Sequence, residues 1–401
     1  MRGTRAEGGP RRPAAHDRAR ISVALVFLIH GIAVSNWMAR IPAVQRSLHL
    51  SSAALGLALL AASGGAFVTM TAIAPVISRV GSARATAWSS YGLCAALPLP
   101  ALAWSAPSLA AALVVYGAFV GAMDVAMNTQ AVDVERGLGR PVMSRLHALF
   151  SLGGFVGSAA GGLAAGRGLA PFPHLTAAAA ILAIATAAAR RHLLVDDPAI
   201  LAQIRVAPFP LRPLLALGAI AFCILLGEGA MGDWSAVYLS QYAGQGAAAT
   251  GYATFSIAMA VGRFGGDALR TRLGAVRVVR IGSALAALGL GGGLAYGGLA
   301  ATLVGFACAG LGFSSVFPIA LSAAGHKSAP VSQAGVATVA ATGYVAMLVG
   351  PPLIGGLAQL VTLRAALGVT VALSLLAAAL AGFVRSADAE TAPTVAPVAR
   401  G

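Results

Sequence analysis

The sequence predicts an all-α membrane protein, with twelve transmembrane helices in two pseudo-symmetric six-helix bundles. Composition, the regular recurrence of long apolar runs and an internal repeat carry that prediction. The 401 residues are 58% hydrophobic and only 10% charged, whereas soluble globular chains carry roughly a quarter charged residues. The apolar runs are each near the ~20 residues that a helix needs to cross a bilayer. The 50 glycines suit helices that pack closely within a membrane.

The elements follow in order. Residues 1–20 hold six arginines and no apolar core, and Ile21–Met38 follows directly. A cleaved leader would carry a shorter apolar stretch and a small-residue cleavage site. We therefore read a basic cytoplasmic tail and a retained first helix. The first bundle, residues 21–189, has spans near 21–40, 53–77, 85–104, 108–132, 144–166 and 172–189. Residues 190–212, charged and proline-containing, read as a cytoplasmic linker. The second bundle, residues 213–384, has spans near 213–239, 247–269, 276–297, 299–324, 331–358 and 362–384. Residues 385–401 form a second cytoplasmic tail.

The net charge of +15 could suggest nucleic acid as a partner. The basic residues fall between apolar runs, so topology is the better cause. With the N-terminus inside, 23 of the 27 basic residues, including Arg2, Arg5, Arg11, Arg12, Arg205, Arg263 and Arg400, lie on the inner side. Arg40, Arg46, Arg167 and Arg364 lie outside. Both termini are thus expected in the cytoplasm. Lys327 is the sole lysine, and this arginine bias suggests a high-GC bacterial genome and hence the inner membrane.

The halves repeat. Ser78-Arg79-Val80-Gly81-Ser82-Ala83-Arg84 after span two matches Thr271-Arg272-Leu273-Gly274-Ala275-Val276-Arg277 after span eight, 193 positions on. Gly-Gly-Leu-Ala recurs at 161–164 and 355–358, and Trp37 matches Trp234. Three matches at nearly one offset indicate a duplicated bundle.

On these features the chain resembles the major facilitator superfamily over essentially its whole length. The family's loop between helices two and three has a pattern like G-x-L-a-D-R-x-G-R-R. Arg79, Gly81 and Arg84 match it, while Ser78 stands for the usual Asp and Ala74 for the leading Gly. Gly262-Arg263-Phe264-Gly265-Gly266-Asp267 is also similar to family sequences. The resemblance implies that Arg79, Gly81, Arg84, Asp267, Arg272 and Gly274 act in the conformational switch, with Asp267 serving Arg263 or Arg270. The stretches NWMARIPAVQ, GAMDVAMNTQAV and EGAMGDWSAVYL resemble a bacterial fucose-permease-like branch, which implies a proton-linked carrier. Gly117 stands where drug–proton antiporters carry an arginine in helix four.

His30, Asp124, Glu228 and Asp233 are ionisable and deep within apolar runs. Such residues face the bundle interior, because lipid exposure costs ~2.5 kcal/mol or more. The resemblance places their helices, one, four and seven, around a central cavity. His30 is ~14 Å and Asp124 ~12 Å from the inner span ends at 1.5 Å per residue, so a His–Asp relay is one reading and a structural acid the other. Asn128 is one turn from Asp124. Asp233 with Trp234 suits a polyol, because an indole stacks on sugar faces while a carboxylate accepts hydroxyl protons. An interfacial aromatic belt is the alternative for Trp234. Asn36 and Trp37 make a similar cluster in span one, and Tyr344 is a lesser candidate. Gly153, Gly157 and Gly161 form a small-residue stripe for helix packing.

No phosphate-binding, metalloprotease or paired-cysteine motif appears, so neither an enzyme nor a cofactor or metal is expected. The function expected is secondary active transport by alternating access, as proton-coupled symport of a sugar-like or other small polar solute. A proton-coupled exporter of an amphipathic or drug-like compound is the alternative. The expected partners are the solute, protons and the lipid bilayer, without nucleic acid, for a chain acting as a monomer.

Overall fold

The computed structural model describes residues 13–140, 142–195, 212–328 and 332–391. Arg2, Arg5, Arg11, Arg12, Arg205 and Arg400 of the charge pattern, with most of the linker, lie outside the described residues.

The first half consists of α1 (Pro13–Met38), α2 (Ser52–Ala72), α3 (Ser82–Ala96), α4 (Ala106–Leu138), α5 (Met143–Gly166) and α6 (Pro171–Ala189). The second consists of α7 (Leu215–Leu239), α8 (Thr250–Leu273), α9 (Ala275–Tyr296), α10 (Leu299–Phe313, resuming as Val316–Lys327), α11 (Ser332–Leu360) and α12 (Leu363–Leu380). Ten of these stretches are long and apolar enough to cross a membrane. The other two fall short for local reasons. α3 has 15 residues before Pro98 interrupts it, and α8 carries Arg263, Asp267, Arg270 and Arg272.

Several boundaries differ from the expected ones. α1 starts within the basic tail, at Pro13, a residue compatible with a first turn. α2 stops at Ala72, and a separate turn, Ala74–Val80, begins with Pro75 at its start. α4 runs six residues past the expected 132, so Asp124 is further from its end than the sequence suggested. α10 breaks at Ser314, whose Oγ donates to the Leu311 carbonyl at 2.7 Å, a bond that competes with the helix ladder. The tail expected from 385 is instead part of a 3-10 stretch, Ala381–Thr391.

Local chemistry fixes the helix starts. Ser51 and Thr362 cap α2 and α12 with their side chains, and Ser105 and Ser108 cap α4 reciprocally. The duplicated loops have duplicated geometry. Gly81 sits at φ 87, ψ 152 and Gly274 at φ 80, ψ 156, a backbone region that is essentially glycine's alone.

Glycines also set the packing. A Cβ on Gly117 would lie 1.9 Å from the Ala62 carbonyl oxygen, so α2 and α4 touch backbone to backbone. This explains a glycine where the antiporters hold an arginine. Gly153 and Gly157 do the same for α5 against α1, at Leu28 and Ile32.

The halves meet along two seams, α5 with α8 and α2 with α11. Their close approaches lie toward the end opposite the chain termini. There Gly162 and Gly166 meet Gly246, and Gly56 meets Pro351 and Gly355. Further along the α5–α8 seam, Ser158 Oγ donates to the Ala249 carbonyl at 2.8 Å. Arg263 then reaches His147 and Ser151. Nearer the termini, Gly64 of α2 has no atom within 4 Å of its notional Cβ, and the nearest neighbours of a Cβ on Gly343 of α11, Leu225, Ala221 and Phe317, belong to its own half.

Candidate functional site

Asp124 is a half-buried carboxylate on α4, beside Met123, Ala126 and Met127, which are all buried. One turn on, Asn128 Nδ2 donates to the Asp124 carbonyl at 2.8 Å and to its carboxylate Oδ1 at 3.4 Å. Asn128 Oδ1 in turn accepts from His147 Nε2 of α5 at 3.2 Å. The His147 ring packs edge-on against Phe27 of α1, 5.1 Å between centroids. From the other half, Arg263 Nη1 donates to the His147 carbonyl at 3.3 Å and to Ser151 Oγ at 2.7 Å. Its Nη2 stands 3.6 Å from Glu228 Oε2, with 13% and 17% of the two side chains exposed.

These contacts link Asp124, Asn128, His147, Arg263 and Glu228 across the α5–α8 seam. Tyr344 of α11 is within electrostatic reach of both Asp124 and Glu228. Tyr252 of α8 is within reach of Glu228, Arg263 and Asp233. Asp124 and Glu228 thus have Tyr344 in common, Glu228 and Asp233 have Tyr252, and Arg263 faces Glu228. Among the described residues, Glu228 alone of these three carboxylates has an ion pair. An arrangement of this kind suits proton exchange and hydrogen bonding to a polar guest, because isolated acids in a low-dielectric region gain most from a proton or a donor.

Several expectations are redistributed. His30 is 2% exposed and its two ring nitrogens have no hydrogen-bond partner among the described residues. It packs on Phe150 of α5, 5.3 Å between centroids. The histidine connected to Asp124, through Asn128, is therefore His147. Arg263, expected on the inner side and as one of two possible partners of Asp267, pairs instead with Glu228. Asp267 is exposed and forms no ion pair among the described residues. In the second-half loop a different carboxylate serves: Asp388 Oδ1 accepts the Ala275 N–H at 2.7 Å, beside Gly274. Arg79, Arg84 and Arg272 are exposed at the loop surface.

Asn36 and Trp37 are buried, and Trp37 packs on Tyr116 with centroids 6.4 Å apart. Asn36 Nδ2 donates to its own helix, at the Ile32 carbonyl, 2.8 Å. Trp234 is fully buried, and its Cη2 would stand 3.1 Å from a Cβ on Gly355. Asp233 is half-buried, within electrostatic reach of Tyr116 and Tyr252. His147 and Ser151 were missed in the sequence. A histidine within the apolar run of span five was the available signal.

Long apolar helices in two repeated bundles, with ionisable groups gathered between them, define a multi-pass membrane transport protein. The model of the Major Facilitator Superfamily matches residues 23–344, and the chain belongs to that family. It is 36% identical to an uncharacterized MFS-type transporter of Yersinia pestis, over 90% of this chain and 94% of the relative. It is 32% identical to membrane protein MosC of Rhizobium meliloti, over 89% and 88% of the two chains. Among solved structures, the nucleoside transporter NupG aligns at TM-score 0.70 with 15% identity, covering 91% of this chain and 98% of that one. The outward structure of FucP aligns at TM-score 0.60 with 13% identity, covering 92% and 99%. These last two likenesses are likenesses of fold. Family membership makes the chain a transporter rather than an enzyme.

Proposed function

We propose that this transporter is a proton-coupled symporter of a small polar, sugar-like solute, with Asp124 and Glu228 as the two acids of its central site. The observation behind the reading is a run of contacts from Asp124 through Asn128 to the His147 ring, and from the His147 carbonyl through Arg263 to Glu228, the last an ion pair. It joins an acid of each half across the seam that must rearrange in alternating access. Asp124, without an ion pair, takes the proton. Glu228, held by Arg263, senses proton or solute through that pair. The solutes named for two structural neighbours, a nucleoside and fucose, are polar and hydroxyl-rich, as a site of acids, amide and tyrosines requires.

In this reading α3 and α8 also cross the bilayer, giving twelve spans in bundles 21–189 and 213–384. Both termini are cytoplasmic, the membrane is the bacterial inner membrane, and a monomer suffices. Close approach of the halves at the end opposite the termini then makes this an inward-facing state. The test is uptake of candidate sugars and nucleosides into proteoliposomes under an imposed proton gradient, wild type against Asp124→Asn. Gradient-driven uptake is expected in the wild type and is lost in the variant. Equal, proton-dependent uptake in both would make Asp124 structural and remove the proposed mechanism.

A further inference from the structure

A second polar cluster lies at the end opposite the termini, away from the central site. Arg40 follows α1 and is 1% exposed, although it carries the most hydrophilic of side chains. One guanidinium nitrogen, Nη2, donates to the Leu169 carbonyl in the turn between α5 and α6. Nε and Nη1 have no hydrogen-bond partner among the described residues. Among the described residues Arg40 forms no ion pair with a carboxylate.

A buried histidine and the start of a helix lie beside Arg40. His174, in the first turn of α6, is 7% exposed, has an unpartnered Nδ1 and lies within electrostatic reach of Arg40. α6 is 19 residues long and starts at Pro171, so its N-terminal dipole adds partial positive charge to the same place. An unanswered buried charge is costly, and the compensation available to it is a counter-ion or water.

We propose that Arg40, His174 and the first turn of α6 bind a small inorganic anion of halide size. The near-complete cover of Arg40 excludes a lipid phosphate headgroup. The bound anion would brace the turn around Leu169, three residues from Gly166, which abuts Gly246 of the other half.

The test uses full-length protein purified in lipid-free detergent. Its unfolding temperature is followed as sodium gluconate is replaced by sodium chloride at fixed ionic strength. A saturable rise on the order of 2 °C is expected for a ligand that binds only the folded state. Arg46→Gln, at a neighbouring exposed arginine, keeps the rise, and Arg40→Met loses it. If Arg40→Met does not fold, His174→Leu replaces it, and its chloride titration shifts several-fold to higher concentration. Equal unfolding temperatures in the two salts, as hydration by water predicts, overturn the proposal. So does a wild-type response that fails to saturate, or one that Arg40→Met or its His174→Leu replacement leaves unchanged.

Discussion

Replacing Gly355 by alanine tests whether the α2–α11 seam is a closed gate. The added Cβ would lie 2.5 Å from the Ser52 carbonyl oxygen, 3.0 Å from Gly56 Cα and 3.1 Å from Trp234 Cη2. Two of these three atoms belong to backbone of the other half, which cannot turn aside as a flexible side chain can. To reach the 3.4 Å of ordinary contact, the Ser52 carbonyl must recede by roughly 0.9 Å. Overpacking of this kind costs about 1–3 kcal/mol. Borne only by the state in which this end is closed, it shifts the balance between open and closed roughly 5- to 150-fold. The next residue provides the control, because Gly356 has nothing within 4 Å of its notional Cβ. Spin labels at Ser51→Cys and Leu360→Cys, both exposed, report the gap by pulsed distance measurement. Gly355→Ala should move the distribution to longer distances, and Gly356→Ala should leave it in place. Identical distributions for the two would refute the argument that this backbone contact limits closure.

Other substitutions separate the remaining features. Arg263→Lys keeps the charge but loses the planar fork that serves Ser151 and Glu228 together; solute uptake should fall about tenfold or more while expression holds. Arg263→Met leaves Glu228 without its partner, and adding Glu228→Gln should recover most of the lost thermal stability in a double-mutant cycle. Gly81→Ala and Gly274→Ala each place a Cβ in backbone conformations that exclude it, at about 1–3 kcal/mol; the two should lower the unfolding temperature by similar amounts. Gln130→Leu removes both bonds to the backbone of Leu194, each unsatisfied group costing about 1–3 kcal/mol; faster proteolysis near Leu194 is the readout.

The bundle architecture was legible because apolar run length reports directly on the bilayer. The repeat at Arg79 and Arg272 was legible because a special glycine conformation leaves a fixed residue in sequence. Helix ends were less so: α4 continues to Leu138 through Asp133, Glu135 and Arg136, charges that read as a loop but sit on a helix beyond the apolar stretch. The acids of the site stood out as charges in apolar context. Their partners did not, since partnership depends on helix rotation. His30 and His147 are both histidines in apolar runs, yet His30 turns to Phe150 and His147 to Asn128. Arg263 was disguised by its place in a loop-associated motif, four residues from an exposed Asp267.

Each half ends by tying its exit segment to itself. Gln130 holds the backbone of Leu194 beyond α6, and Arg270 and Ser386 hold the segment at Ala387 beyond α12, 193 positions later. The covalent join between the bundles is therefore not what finishes either one. A chain severed within 196–211 and co-expressed as two polypeptides should reassemble by complementation, because the knot that completes each module lies on its own side of the cut.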